Sequence, residues 1–328
     1  MHIPENYLSP STCAVFSAAM LPVWIISVQK IKKEIPKEKL PLLGICAAFS
    51  FLSMMFNIPL PGGTTGHAVG GTLIAILFGP YAACLAVSIA LFIQALFFGD
   101  GGILAFGANC FNMAFVLPFS GYFVYNLLKD KFSKTVAAGI GSFIGINAAA
   151  LCAAIEFGIQ PMLFVDAAGQ ALYCPYPLSI SVPAMMIGHL TLFGLAEIIF
   201  TTAVLTYLEK TSPELFQTSD TGNGKSAYLL TLALIVLTPL GLIAEGTAWG
   251  EWGVDEIAEI ESNGQVLGYT PSGMESGFAF DAMFPDYSVS GMPEMFGYIL
   301  SAIIGTALLI VIFKILSSLI GGKTNYEA

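Results

Sequence analysis

Long apolar runs almost free of charge recur from one end of this chain to the other, with the charged residues confined to short clusters between them. About 20 consecutive apolar residues are what a helix needs to cross the hydrocarbon core of a bilayer. Soluble domains carry about 25% charged residues, whereas here 56% of residues are hydrophobic, 10% are charged and mean hydropathy is +0.79. The chain therefore reads as an integral membrane protein. Only helices and closed barrels satisfy their backbone in lipid, and the alternating segments of a barrel are missing. The expected fold class is all-α, a polytopic transmembrane helical bundle of about nine spans in the cell membrane, bounded by lipid. The polar run His2 to Ser11 lacks a basic n-region, so no cleavable signal peptide is expected.

The lysines sort the topology. All twelve positive charges are lysines. The expected spans are Thr12 to Val28, Leu40 to Phe56, a short helix Ala68 to Phe78 after a Pro/Gly-rich break, Tyr81 to Phe98, Ile103 to Leu127, Thr135 to Ile155, Ile180 to Leu208, Ser226 to Ala244 and Met295 to Leu316. In this scheme Lys30 to Lys39, Lys129 to Lys134, Lys210, Lys225 and Lys323 fall on one side, which the positive-inside rule makes cytoplasmic. The N-terminus then faces outward and the C-terminus inward. Ten of the 22 acids lie between Glu245 and Glu294, where no basic residue occurs. This stretch reads as a small extracytoplasmic domain between the last two spans. A polar linker then separates a seven-span unit, 1–208, from a two-span unit, 226–328, with residues 209–225 as the cytoplasmic connection. No basic patch points to nucleic acid.

The chemistry concentrates at the start. A chain that begins Met1-His2 offers its terminal amine, the His2 amide nitrogen and the His2 Nδ1 at a spacing that closes two fused chelate rings. His67, in the break Pro61 to Gly71, supplies a fourth nitrogen. Four nitrogens in a plane suit Ni(II) or Cu(II) and suit tetrahedral Zn(II) poorly. The plainer alternative is that His2 frays into water and His67 caps a helix. The topology bears on the choice, because both the N-terminus and the break open outward. Met1 to Ser11 would fold in as a plug, covering irregular backbone that lipid does not tolerate. Chelation needs neutral rings and a deprotonated amine, so affinity is expected to fall as pH drops through the histidine range.

Other polar residues carry two readings each. His189 and Glu197 lie eight apart in the seventh span, as functional intramembrane groups or as contacts between helices. That spacing is not the H-E-x-x-H of a zinc protease. Gln94, Asn109, Asn112 and Asn147 are interhelical glue or partners of the His67 ring. Ala82, Ala86 and Ala90 form a smooth stripe for internal packing or for a partner helix. Gly224-Lys225-Ser226 is no nucleotide loop, because Ser219 stands where that pattern needs glycine. Six singly placed cysteines indicate neither a disulfide framework nor a thiolate site. The acids Glu251, Asp255, Glu256, Glu259, Glu261, Asp281 and Asp286 read by default as a solvated surface, or else as a field that concentrates cations. Met274, Met283 and Met292 in that region form no motif.

Several stretches together resemble a known family. They are Met1-His2-Ile3-Pro4-Glu5-Asn6-Tyr7-Leu8-Ser9-Pro10, Gly66-His67-Ala68-Val69-Gly70, Ala75-Ile76-Leu77-Phe78-Gly79-Pro80, Gln94 to Gly102, Gly107-Ala108-Asn109 and Tyr173-Cys174-Pro175-Tyr176-Pro177-Leu178. In this order they are similar to the CbiM/NikM substrate-capture components of energy-coupling-factor (ECF) transporters for cobalt and nickel. The resemblance covers residues 1 to 208 and implies a bundle whose N-terminal segment inserts into the core from outside. It implies metal ligands at the Met1 amine, the His2 amide and ring, and the His67 ring. His67-Ala68-Val69-Gly70 resembles the nickel branch. Residues 226 to 328 resemble, more loosely, a NikN/CbiN-type auxiliary subunit fused in line. The partners implied are a transmembrane coupling (T) subunit and ATPase subunits like those of ABC transporters.

The expected function is therefore capture of Ni(II), with Co(II) as the alternative, as a transported substrate and without bond-breaking chemistry. Two other classes stay open: a membrane-embedded metal-dependent enzyme using His189 and Glu197, and a stand-alone secondary permease. The second would ordinarily show internal repeats, and no strong repeat is seen.

Overall fold

In the computed structural model, residues 1–61, 63–213, 225–262 and 265–320 are described. Gly62, most of the expected linker with Ser219 and Gly224, and Lys323 lie outside them. Among the described residues eight helices are long and apolar enough to cross a bilayer. The chain is a multi-pass helical membrane protein.

The first helix, α1 (Pro10–Glu34), starts at Ser9, whose Oγ accepts from Thr12 N, with Pro10 in the first turn where its missing N–H costs nothing. A short turn at Lys37–Lys39 leads into α2 (Leu40–Met55). This helix is buried at every position from Leu43 to Met55 except Cys46, so it is the axis of the bundle. The Pro/Gly break forms a small hairpin, β1 (Ile58–Leu60) paired antiparallel with β2 (Thr64–Gly66). It is followed by α3 (Gly71–Phe78). Eight residues at about 1.5 Å each make a helix of about 12 Å, under half the bilayer core. The third of the nine expected spans is therefore a half-helix fed by extended chain, and the other eight correspond to helical segments long enough to cross, some of them interrupted.

Next come α4 (Pro80–Ile93), which continues as a π-helical turn over Gln94–Phe98, and α5 (Phe106–Asn109). A π-helical stretch, Cys110–Val116, joins α5 to α6 (Leu117–Leu128). Helix α7 (Lys134–Leu163) packs on α6 through glycines, where a Cβ at Gly141 would stand 2.6 Å from the Gly121 carbonyl oxygen. The expected seventh span is split at Thr191 (φ −116, ψ −106) into α8 (Leu178–Leu190) and α9 (Leu192–Thr211). His189 and Glu197 consequently sit on different helices and share no continuous face. Ala82, Ala86 and Ala90 are all buried, so their stripe packs internally.

The C-terminal unit comprises α10 (Lys225–Leu237), an extramembrane segment and α12 (Glu294–Ile320). The segment carries a two-rung hairpin of β3 (Glu261–Ser262) and β4 (Gln265–Val266) and the one-turn helix α11 (Ser272–Glu275). Helix α12 lies on α2, with Gly44 against Phe313 and Gly305 against Phe51. The lysine-bearing turns share one end of the bundle. There Lys30 pairs with Glu34 and stands over the Tyr81 ring, and Ser317 Oγ donates to the Lys37 carbonyl. The N-terminal segment, the β1–β2 hairpin and the acidic segment gather at the other end. Trp249 N donates to Thr64 Oγ1 at 2.7 Å, and Phe284 N donates to the Phe97 carbonyl at 2.8 Å.

Candidate metal centre

The first nine residues form no regular element, yet Met1, His2, Ile3, Tyr7, Leu8 and Ser9 are all buried. Unpaired backbone would make such burial costly, and side chains from several helices remove the cost. Asn109 accepts from Ile3 N at 2.7 Å through Oδ1 and donates to Ile3 O at 3.0 Å through Nδ2. Gly102 N donates to the same carbonyl at 2.9 Å. Glu5 accepts from the N–H groups of Ile103 (2.6 Å) and Leu104 (3.2 Å). Gln160 Oε1 accepts from Ser9 N at 3.0 Å, and Cys174 N donates to Tyr7 O at 3.0 Å. The chain passes so close to the loop after α4 that a Cβ at Gly102 would lie 2.8 Å from Glu5 Cα.

This anchoring brings the start of the chain to His67. His67 Nε2 lies 3.2 Å from His2 Nδ1, and the ring centroids are 4.9 Å apart at 41°. The other nitrogen of His67, Nδ1, lies 3.2 Å from the Ala68 carbonyl, which fixes the ring and leaves Nε2 to present its lone pair toward His2. The Met1 amine, 66 positions away from that ring in sequence, donates to Glu251 Oε1 at 3.0 Å. Among the described residues no hydrogen bond engages the main-chain N–H of His2. Asp100 Oδ1 is 3.1 Å from His2 Nδ1, while Asp100 Oδ2 accepts from Gln94 Nε2 at 3.1 Å and from the Tyr287 hydroxyl at 2.5 Å.

Burial sets the protonation of these rings. Desolvation first, and the adjacent terminal ammonium second, push the His2 imidazole down from 6.5 to about 4. Desolvation and the neighbouring His2 hold His67 well below the usual histidine range. Both rings are therefore neutral at neutral pH, the form that binds metal. Desolvation raises the Asp100 carboxyl above its ordinary value, against the pull of the Tyr287 hydrogen bond. Among the described residues no three His, Cys, Asp or Glu side chains cluster so as to hold an ion by themselves.

The remaining polar residues sort differently from expectation. None of Gln94, Asn109, Asn112 and Asn147 bonds the His67 ring. Gln94 serves Asp100 and Tyr287, Asn109 serves Ile3, Asn112 donates to Glu156 at 2.8 Å, and Asn147 donates to the Phe143 carbonyl of its own helix. His189 Nδ1 bonds the Met185 carbonyl one turn back at 2.8 Å. Glu197 accepts from the main chain beside His67, at Val69 N (2.7 Å) and Gly70 N (3.1 Å). These two residues form no acid–base pair. Of the acids expected on a solvated surface, Asp255, Glu256, Glu259, Glu261 and Asp281 are exposed. Asp286 is exposed as well, whereas Glu251 is half-buried, and both line a cavity of about 350 Å³ that also touches His2 and His67. Sequence reading named Glu251 only as one of a run of acids and missed its pairing with the Met1 amine, because one carboxylate in an acidic run carries no spacing signal. It missed Asp100 because Gly99-Asp100-Gly101-Gly102 reads as a turn.

Residues 2–215 match the family model described as the cobalt uptake substrate-specific transmembrane region, CbiM, and residues 224–322 match the PDGLE domain. A probable fused nickel transport protein, LarMN, of Lactiplantibacillus plantarum is 51% identical over 318 residues, covering 96% of each chain. The fused nickel transport protein NikMN of Rhodobacter capsulatus is 47% identical over 330 residues, covering 94% of this chain and 95% of that one. A crystal structure of a truncated transition metal transporter matches with TM-score 0.62 at 55% identity, covering 64% of this chain and 99% of that one. These relatives are named as transporters, and none of them as an enzyme. The chain belongs to the CbiM family and is a metal-transport component of the membrane, not an enzyme.

Proposed function

We propose that this chain is the substrate-capture subunit of an ECF-type importer and takes up Ni(II), with Co(II) as the alternative cargo. The ligands are the Met1 amine, the His2 amide nitrogen and Nδ1, and His67 Nε2. The observation that carries the reading is the 3.2 Å approach of His2 Nδ1 to His67 Nε2 beside a buried Met1 amine. Metal–nitrogen bonds of about 2.0 Å in a square plane put neighbouring nitrogens about 2.8 Å apart, so the two rings need only a few tenths of an ångström to share an ion. Relatives of nearly the same length are named as nickel transport proteins, which favours nickel among ions that accept four nitrogens.

Residues 1–208 form the capture unit, residues 209–225 the connection and residues 226–328 the auxiliary unit. The lysine-bearing end faces the cytoplasm, so the N-terminus and the acidic segment face outward. A coupling subunit in the membrane and ABC-type ATPases, supplied by other chains, drive release inward.

The test is titration of NiCl₂ into the purified full chain with Met1 as its first residue, against a variant carrying one residue before Met1. The expected result is one ion per chain with the absorption band of square-planar Ni(II) in the first case, and loss of that band in the second. Equal binding by both would overturn the ligand set.

A further inference from the structure

The cavity beside the two histidines is built from both units of the chain. The capture unit contributes His2, His67 and Asp100, and the C-terminal unit contributes Glu251, Asp286 and Tyr287. With Glu294 also on its wall, four carboxylates line a space of about 350 Å³, which at roughly 30 Å³ per water has room for a hydrated divalent ion. His2 lines it as a buried ring next to the Gln94 side chain, and His2 Nε2 has no hydrogen-bond partner within 3.5 Å among the described residues. Glu251 is tied to the site more tightly than a surface acid would be. Its Oε1 accepts from the Met1 amine at 3.0 Å, with the amine almost wholly buried and the Glu251 side chain 23% exposed. The stretch around Glu251 is fixed to the capture unit on both sides. Trp249 N bonds Thr64, and the Tyr7 hydroxyl bonds the Trp252 carbonyl at 2.8 Å. Asp286 precedes Tyr287, whose hydroxyl reaches Asp100, so the second carboxylate is held to the same wall.

We propose that Glu251 is a positioning residue of the capture site. It aims the Met1 amine at the His2–His67 pair and, with Asp286 and Asp100, makes an acidic antechamber through which a hydrated divalent cation reaches the chelate. This inference rests on the ligand set proposed above and adds a role for the C-terminal unit. A carboxylate at this point does two things that a neutral side chain does not. It orients the amine by a charge-assisted hydrogen bond. It also raises the local cation concentration in a partly enclosed cleft of one sign of charge, an effect that changes association rates by 10- to 1000-fold in such clefts and weakens with salt.

The experiment uses the full chain in detergent and stopped-flow mixing with NiCl₂, read at the absorption band of the bound ion over a range of ionic strength. Four variants are compared with the parent chain: Glu251→Gln, Glu251→Ala, Asp286→Asn and His67→Ala. Asparagine suits the left-handed backbone at position 286 (φ 52), so this variant tests the antechamber independently if the Glu251 changes disturb folding. Expected are an association rate about tenfold lower for both Glu251 variants, a smaller loss for Asp286→Asn and a flatter salt dependence in all three. The band should keep its position in Glu251→Gln, because the ligands are unchanged, and His67→Ala should give no band. Parent-like rates and salt dependence in all three carboxylate variants, with His67→Ala silent, would overturn the antechamber and leave the ligand set standing. A band retained in His67→Ala would overturn both.

Discussion

Glu197 on α9 and Val69, two residues past His67, are joined by a 2.7 Å hydrogen bond from the Val69 N–H to the carboxylate, and Gly70 N–H adds a second at 3.1 Å. Ser50 Oγ donates to the Val69 carbonyl at 2.7 Å from the opposite side. The turn that presents His67 is thus gripped from α2 and α9 at once. Leaving a buried N–H unsatisfied costs about 1–3 kcal/mol. Glu197→Ala should therefore lower the melting temperature of the full chain and weaken Ni(II) binding by at least about tenfold, with Glu197→Gln intermediate. Thermal unfolding in detergent, paired with NiCl₂ titration, reads both effects.

Acidification should act on chelation without a step at the ordinary histidine pKa. Burial lowers the His2 ring from 6.5 to about 4 and lowers His67 as well, so ring protons do not compete with a metal near pH 6.5. Binding still releases protons from the amine and amide nitrogens, so affinity falls as pH falls. Affinity measured between about pH 8 and 6 should decline smoothly, with no break where a free histidine titrates. The fold itself responds in a defined window. The unfolded chain binds more protons at His2 than the folded one, so stability present above 6.5 is lost as pH falls toward about 4. Ring resonances of His2 that titrate near 6.5 in the folded protein would contradict this.

Asn109 pairs both main-chain groups of Ile3. Asn109→Ala removes both bonds in a buried site and should loosen the N-terminal segment while the helices stay intact. Dissociation of Ni(II), followed by chelator competition, should accelerate by about tenfold, equivalent to about 1.4 kcal/mol. Circular dichroism should be unchanged.

Gly102→Ala tests the fit of the same segment against the loop after α4. The added methyl would lie 2.8 Å from Glu5 Cα, which is backbone and cannot swing aside. Overpacking of this kind costs about 1–3 kcal/mol, and here it should displace residues 1–5 from the site. Ni(II) titration should show binding weakened by about tenfold or more. Normal binding in this variant would mean that the segment seats differently.

The helical architecture was legible because a bilayer imposes one length and one polarity on every crossing segment. The break before Gly71 and the meeting of His2 with His67 were legible from glycine and proline content combined with the lysine pattern. The division at Thr191 was not, because isolated glycine, threonine and histidine residues such as Gly188, His189 and Thr191 are all tolerated inside a continuous membrane helix and do not mark a backbone turn. Glu197 as a main-chain acceptor was equally hidden. Its partners lie 127 and 128 positions away and are amide groups that every residue possesses. The ion pair of Met1 with Glu251 spans 250 positions between units that read as separate. Sequence spacing carries no trace of such a contact.

The acidic segment is leashed at both ends, by α10 before it and by α12 lying on α2 after it. Should Glu251 let go of the amine, the segment cannot diffuse away. It rebinds from an effective concentration on the order of millimolar. Covalent continuity thus replaces the encounter that two separate polypeptides would require, and the ratio of the CbiM-matching part to the PDGLE-matching part stays fixed at one to one however much of the chain a cell makes.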